Sequence, residues 1–205
     1  MTDRQKRADR PFARFVREFL TVALALGGLT AARSSLADHY VVPSGSMQPS
    51  LVPGDRVVVD KRAYGLRIPF TLAKLGAGAH PQRGDVVIVD SPRDGERLIK
   101  RVVAVAGDEV AVRGGHVLID GVAMGVPGDP HEHFGAHDVS LDLSRGGGPD
   151  FGPVRVPDGQ LLVMGDARGN SLDGRFFGFV AEREVYARAV RVFWRSGEGF
   201  TWKTL

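Results

Sequence analysis

The 205-residue sequence has no cysteine, which excludes a disulfide-stapled scaffold. It also lacks compositional bias. With 43% hydrophobic and 25% charged residues its proportions are those of an ordinary globular chain, and a disordered or collagenous protein is excluded. Excess charge of one sign is absent outside the first 18 residues. That segment holds six cations (Arg4, Lys6, Arg7, Arg10, Arg14, Arg17) and three acids (Asp3, Asp9, Glu18), which accounts for the whole net charge of +3, and residues 19–205 carry 21 of each sign. A neutral body offers no general groove for phosphates, so nucleic acid is not an expected partner. Long hydrophobic runs are missing too. Phe19–Ala32 is uncharged for 14 residues, and a helix of that length covers only ~21 Å of a ~30 Å hydrocarbon core.

Two readings fit this short run. If the stem of Arg33 snorkels toward an interface, the apolar stretch extends to Ala37, and residues 19–37 form a transmembrane signal anchor. Alternatively, the basic start, the apolar run and the small-x-small triplet Ser35-Leu36-Ala37 form a cleavable secretion signal. Both readings keep residues 1–18 in the cytoplasm and export residues 38–205.

What the exported part has is β structure. Five Gly-Asp pairs punctuate it, and those at 54–55, 84–85 and 107–108 lead into the β-branched runs Arg56–Asp60, Val86–Asp90 and Glu109–Arg113. Leu98–Ala106, His116–Ile119, Gln160–Met164 and Val185–Trp194 extend the pattern, while Ala181–Tyr186 is the best short helical candidate. Irregular spacing of the Gly-Asp pairs excludes a repeat protein. Residues 125–153, rich in Gly, Pro, His and Asp, predict a loop-rich excursion. The expected fold is mainly β, one β-rich domain with that appendage.

Chemistry concentrates in three segments. In Pro43-Ser44-Gly45-Ser46-Met47-Gln48-Pro49, two prolines bracket a Gly-relieved turn. Such a turn can hold a hydroxyl out as a nucleophile with backbone N–H groups aimed at a developing oxyanion. No histidine is well placed to be its base. A lysine serves only where burial or a neighbouring cation lowers its pKa. Outside the N-terminal segment there are four lysines, Lys61, Lys74, Lys100 and Lys203, and Lys100 lies inside the most apolar strand candidate. The third segment, Gly165–Gly178, is dense in carboxylate, hydroxyl and guanidinium groups, which suits a buried polar network bracing a site.

Ser44-Gly45-Ser46-Met47-Gln48-Pro49 after an apolar segment, then Lys100-Arg101-Val102-Val103, then Gly165-Asp166-Ala167-Arg168-Gly169-Asn170-Ser171-Leu172-Asp173-Gly174-Arg175 ahead of Phe177-Gly178-Phe179-Val180, resembles the bacterial type I signal peptidases in both order and spacing. The resemblance implies a Ser/Lys-dyad serine protease with a catalytic domain of coiled antiparallel β-sheets. It further implies a single N-terminal transmembrane helix in the inner membrane, with the domain on its outer face. Ser46 would be the nucleophile and Lys100 the general base. Ser44 would join the Ser46 N–H in the oxyanion hole, and Ser171 would orient the Lys100 amine. Asp173 and Arg175 would pair behind it, with Asp166 and Arg168 in the same support. Ala167, Gly169 and Gly174 depart from the usual box, where Asn, Asp and Ser are common. The implied substrates are exported preproteins with small residues three before and one before the cut. Tyr40, Val42, Met47, Leu51, Leu98 and Ile99 would line the pockets. A retained anchor in membrane lipid is implied, although Ser35-Leu36-Ala37 stays a candidate self-cleavage site. No cofactor is implied, and a monomer is expected. His131, Glu132, His133, His137 and Asp138 form the one metal-like constellation, but the implied chemistry needs no metal.

Overall fold

The computed structural model describes residues 14–28, 37–67, 74–75, 78–126 and 128–205. Residues 14–28 are helical, and among the described residues no helix is long and apolar enough to cross a membrane. Positions 29–36 of the expected span, and the cations Arg4, Lys6, Arg7 and Arg10, lie outside the described residues. Ala37 already belongs to the first strand.

In chain order the strands are β1 (Ala37–Val41), β2 (Arg56–Asp60), β3 (Leu66–Arg67), β4 (Lys74–Leu75), β5 (Val86–Asp90), β6 (Arg97–Val105), β7 (Glu109–Arg113), β8 (His116–Ile119), β9 (Val122–Ala123), β10 (His131–Phe134), β11 (His137–Ser140), β12 (Phe151–Arg155), β13 (Gln160–Met164), β14 (Val180–Ala181), β15 (Val185–Arg195) and β16 (Gly199–Thr204). The chain is mainly β, as expected. Strands β2, β5 and β7 have the bounds that the Gly-Asp turns predict, and the turns share one construction. Gly54, Gly84 and Gly107 take φ of 88°, 94° and 90°, values open to glycine at little cost. The aspartate after each accepts a backbone N–H from three residues back, with Asp55 bonded to Val52, Asp85 to Gln82 and Asp108 to Val105 at 2.9–3.0 Å. Ala181–Tyr186 is not a helix. It holds one 3₁₀ turn, Glu182–Glu184, between two strands, because the β-branched Val180 and Val185 on either side pack into the sheet.

The main sheet is antiparallel, in the order β1-β2-β15-β5-β6-β13-β14, with β16 on the free part of β15. Side chains alternate across it. Val86 and Ile88 of β5 enter a cluster with Val42, Met47, Leu51, Val57, Ile99 and Ala189. Val87 and Val89 enter the opposite one, with Val102, Leu161, Val163 and Val185. A second sheet, β12-β7-β8-β9, packs Val110, Val112, Val117 and Ile119 against Ala104, Leu162 and Met164.

The 125–153 stretch contains a strand pair, β10–β11, which puts Phe134 and Val139 into the core. Its composition hides this, because in His131-Glu132-His133-Phe134 one inward residue is a carboxylate. Glu132 is completely buried. It pairs bidentately with Arg168 at 2.6 and 3.1 Å and accepts the Val117 N–H at 2.7 Å. The histidines turn elsewhere, His131 to Asp129 and His133 to Asp138. Among the described residues no group of three or more His, Asp or Glu is placed to hold a metal ion.

Removing one partner of a fully buried ion pair leaves an uncompensated charge. Glu132→Ala is therefore expected to destabilise the fold by about 3–5 kcal/mol in urea unfolding.

Candidate active site

Ser46 sits in the 3₁₀ turn Gly45–Met47 just after β1. The turn is pinned from below, since Met47 and Leu51 are fully buried and the Leu51 N–H bonds the Met47 carbonyl at 2.8 Å. From beside it, the Ala167 N–H bonds the Ser46 carbonyl at 3.1 Å. Ser46 is itself buried, at 6% exposure, beside the exposed Ser44.

Lys100 comes from the middle of β6. It lies opposite Val87 and two residues before Val102, on the apolar face that both share. Its Nζ reaches the Ser46 Oγ at 2.6 Å. Burial pushes the amine down to about 8, against the opposing pull of Asp173 and Asp166. Ser44 Oγ donates to Ser46 Oγ at 3.2 Å, and its side chain makes no capping bond to the turn. A hydroxyl, an amine with a lowered proton affinity and a second hydroxyl thus meet at one partly exposed point.

Three buried arginine–carboxylate pairs surround this point. Asp173 binds Arg175 through two bonds of 2.9 Å, and also accepts the Gly165 N–H at 3.0 Å. Asp166 and Arg168, expected in one support, are split between different partners. Asp166 takes Arg101 at 2.9 and 2.7 Å, and Arg168 takes Glu132 and the Gly115 carbonyl. The reason is strand alternation: Arg101 follows Lys100 and so emerges on the other face, opposite Val86 and Met164. Arg101, and Glu132, which the sequence placed only in the metal-like constellation, are ion-pair partners that sequence reasoning missed. Period-two alternation next to Lys100 signals the first, whereas nothing local signals the second.

Ser171 corrects its expected role. Its hydroxyl is buried without a hydrogen-bond partner, and it crowds Gly165 so closely that a side-chain carbon on that glycine would overlap it. Among the expected pocket residues, Val42, Met47, Leu51 and Ile99 are packed into the core at 0–2% exposure. Only Tyr40 and Leu98 are partly exposed. Tyr40 donates to the Arg97 carbonyl at 3.2 Å, and burial raises its phenol above the ordinary value.

The family model "Signal peptidase, peptidase S26" matches residues 13–194. A probable signal peptidase I-2 of Synechocystis sp. is 33% identical over 180 residues, covering 84% of this chain and 68% of the relative. A signal peptidase I of Leptolyngbya laminosa is 32% identical over 199 residues, covering 93% and 83%. One from Pseudomonas fluorescens is 33% identical over 187 residues, covering 78% and 66%.

The lowered Lys100 proton affinity has a stability consequence with a definite sign. Between about 8 and the ordinary 10.5 the unfolded chain binds the proton and the folded one does not, so stability rises with pH across that window. Below it the folded protein bears the full cost of a buried ammonium. Lys100→Met is expected to raise the melting temperature at pH 7, by up to about 3 kcal/mol in stability. That advantage should shrink as thermal melts are repeated at pH 8 to 10.

Proposed function

The chain belongs to the signal peptidase S26 family of serine peptidases, and we propose that it removes N-terminal signal peptides from exported preproteins with Ser46 as nucleophile and Lys100 as general base. The observation that carries this reading is the 2.6 Å contact between a buried lysine amine and a serine hydroxyl. In the neutral form the amine accepts the Ser46 proton while Oγ attacks the scissile carbonyl carbon. The carbonyl oxygen becomes an oxyanion, stabilised by the Ser44 hydroxyl and the Ser46 N–H. Collapse breaks the C–N bond, and the Lys100 ammonium returns its proton to the leaving amine. An acyl-enzyme on Ser46 remains. Water, deprotonated by the same amine, then releases the signal peptide.

An extended substrate pairing its main chain with a strand edge would alternate side chains toward the surface beside the dyad. Tyr40, packed on the cluster of Val42, Met47, Leu51 and Ile99, and Leu98, packed on the opposite cluster with Val87 and Val102, keep the exposure to meet a small side chain there. A shallow site of this kind suits small residues three before and one before the cut.

We further propose a membrane-bound enzyme of the bacterial inner membrane, with the N-terminus cytoplasmic and the domain on the outer face. The 14–28 helix exposes Phe15, Phe19, Leu20, Val22, Leu24 and Leu26. On the main sheet a row in register, Val41-Arg56-Trp194-Phe200, crosses four strands, and all four of its side chains are exposed. Tryptophan and arginine at such a surface suit a lipid headgroup layer. Val41 is three residues from Ser44, so a membrane meeting this row lies close to the dyad.

The test is cleavage of a purified preprotein by the detergent-solubilised enzyme. Ser46→Ala and Lys100→Ala are expected to abolish cleavage, and persistence in either sinks the dyad assignment. Ser44→Ala is expected to lower kcat about 100-fold. Because the base works only when neutral, kcat/KM should fall as pH drops through about 8. A profile flat from pH 6 to 9 would contradict a lysine base.

A further inference from the structure

We propose that the tract Asp142–Gly148 is a positioning element for the dyad, clamping the 165–175 loop whose Ala167 N–H holds the Ser46 carbonyl. The proposal rests on the Ser46/Lys100 reading and adds a residue set that composition marks only as a glycine-rich excursion.

The tract runs alongside the loop for its whole length. Asp142 forms a bridge with Ala167, in which its N–H bonds the Asp166 carbonyl at 3.0 Å and its own carbonyl accepts the Arg168 N–H at 3.1 Å. Ala167 in turn is the residue whose N–H holds the Ser46 carbonyl. Farther along, Arg145 Nη1 donates to Asn170 Oδ1 at 3.2 Å, and Arg175 Nη1 donates to the Gly147 carbonyl at 2.6 Å. At Gly169 the two backbones touch with no room for a side chain, and Gly147 abuts the Gly114 backbone outside the loop. A Cβ on Gly169 would overlap the Arg145 carbonyl, and one on Gly147 would overlap the Gly114 backbone. Gly169 is a position where the resembled family commonly has a larger residue. In this chain the missing side chain is replaced by the tract itself.

The mechanical route to the dyad is short. The Gly147 carbonyl fixes one arm of Arg175, and its remaining donors hold Asp173 and the Arg168 carbonyl. Asp173 and Asp166 pull electrostatically on Lys100, while Arg175 and Arg101 neutralise those two acids. If the tract withdraws, Arg175 loses an acceptor and Asp173 is less neutralised. A freer carboxylate favours the ammonium form of Lys100, so the acidic limb of the rate profile moves to higher pH.

Gly147→Ala and Gly169→Ala test this in the preprotein assay, with circular dichroism to establish folding. Both variants are expected to keep KM within about twofold, to lose kcat about tenfold or more at pH 7, and to shift the acidic limb upward by about half a pH unit or more. Gly121→Ala is the control. Its φ of 78° strains an alanine there, a cost that Gly147 and Gly169 do not carry, but open space surrounds it, so kcat and the limb should stay at wild-type values. Folded Gly147 and Gly169 variants with wild-type kcat and an unmoved limb overturn the proposal. So does a loss of activity that follows the melting temperature while the limb stays in place, since that is a purely structural role. Should neither glycine variant fold, Arg145→Ala, which introduces no overlap, is expected to show a smaller shift of the same sign, and wild-type behaviour there overturns the proposal. Cleavage by the Ser46→Ala enzyme, by contrast, refutes the dyad reading and this proposal with it.

Discussion

The site depends on keeping one amine dry and yet not tightly bound to an acid. Desolvation drives the Lys100 proton off, and each carboxylate in view pulls it back. Arginine resolves the conflict because it stays charged under all working conditions. Arg175 occupies Asp173 and Arg101 occupies Asp166, each through two bonds. Both acids can then brace the loop around Ser46 and Lys100 without pairing with the amine. Buried pairs of this kind are weak stabilisers compared with apolar packing. Their value here lies in where they fix charge. The same logic bears on composition, in which lysine is rare and arginine common: a second lysine near this point would titrate with the first.

One strand separates the two kinds of cation. Lys100 and Arg101 are chain neighbours on opposite faces of β6, the first in the Val87–Val102 environment and the second at Asp166 and the Gly84 carbonyl. A one-residue slip would exchange their positions and put a permanent charge beside the Ser46 hydroxyl. Register is held on both sides, by five consecutive pairs with β5 and by β13 across a bulge at Leu162–Val163. Register in this sheet is therefore a chemical specification as well as a packing one.

How much of this the sequence discloses differs from residue to residue. The strands after Gly54-Asp55, Gly84-Asp85 and Gly107-Asp108 are legible because glycine's left-handed backbone and the aspartate's local bond are both short-range effects. Ser46 and Lys100 stand out only through family resemblance, since the turn and the apolar strand that hold them are common features taken singly. The Glu132–Arg168 pair is not legible at all. Its partners are 36 residues apart, and a carboxylate facing inward breaks the polar–apolar alternation that marks a strand. The glycines of 146–148 mislead for a related reason. Freedom and close approach demand the same residue; Gly146 and Gly148 supply a positive φ, and only tertiary contact shows that Gly147 supplies approach.

The sheet order makes the site depend on a strand distant in sequence. β15 lies between β2 and β5, so the half carrying Ser46 and the half carrying Lys100 are joined in the sheet by Val185–Arg195. Before that strand inserts, no strand pairing links the two, only contacts such as the packing of Met47 and Leu51 on Ile99 and the Ala167–Ser46 bond. The alignment of hydroxyl and amine is thus one of the last things that folding completes.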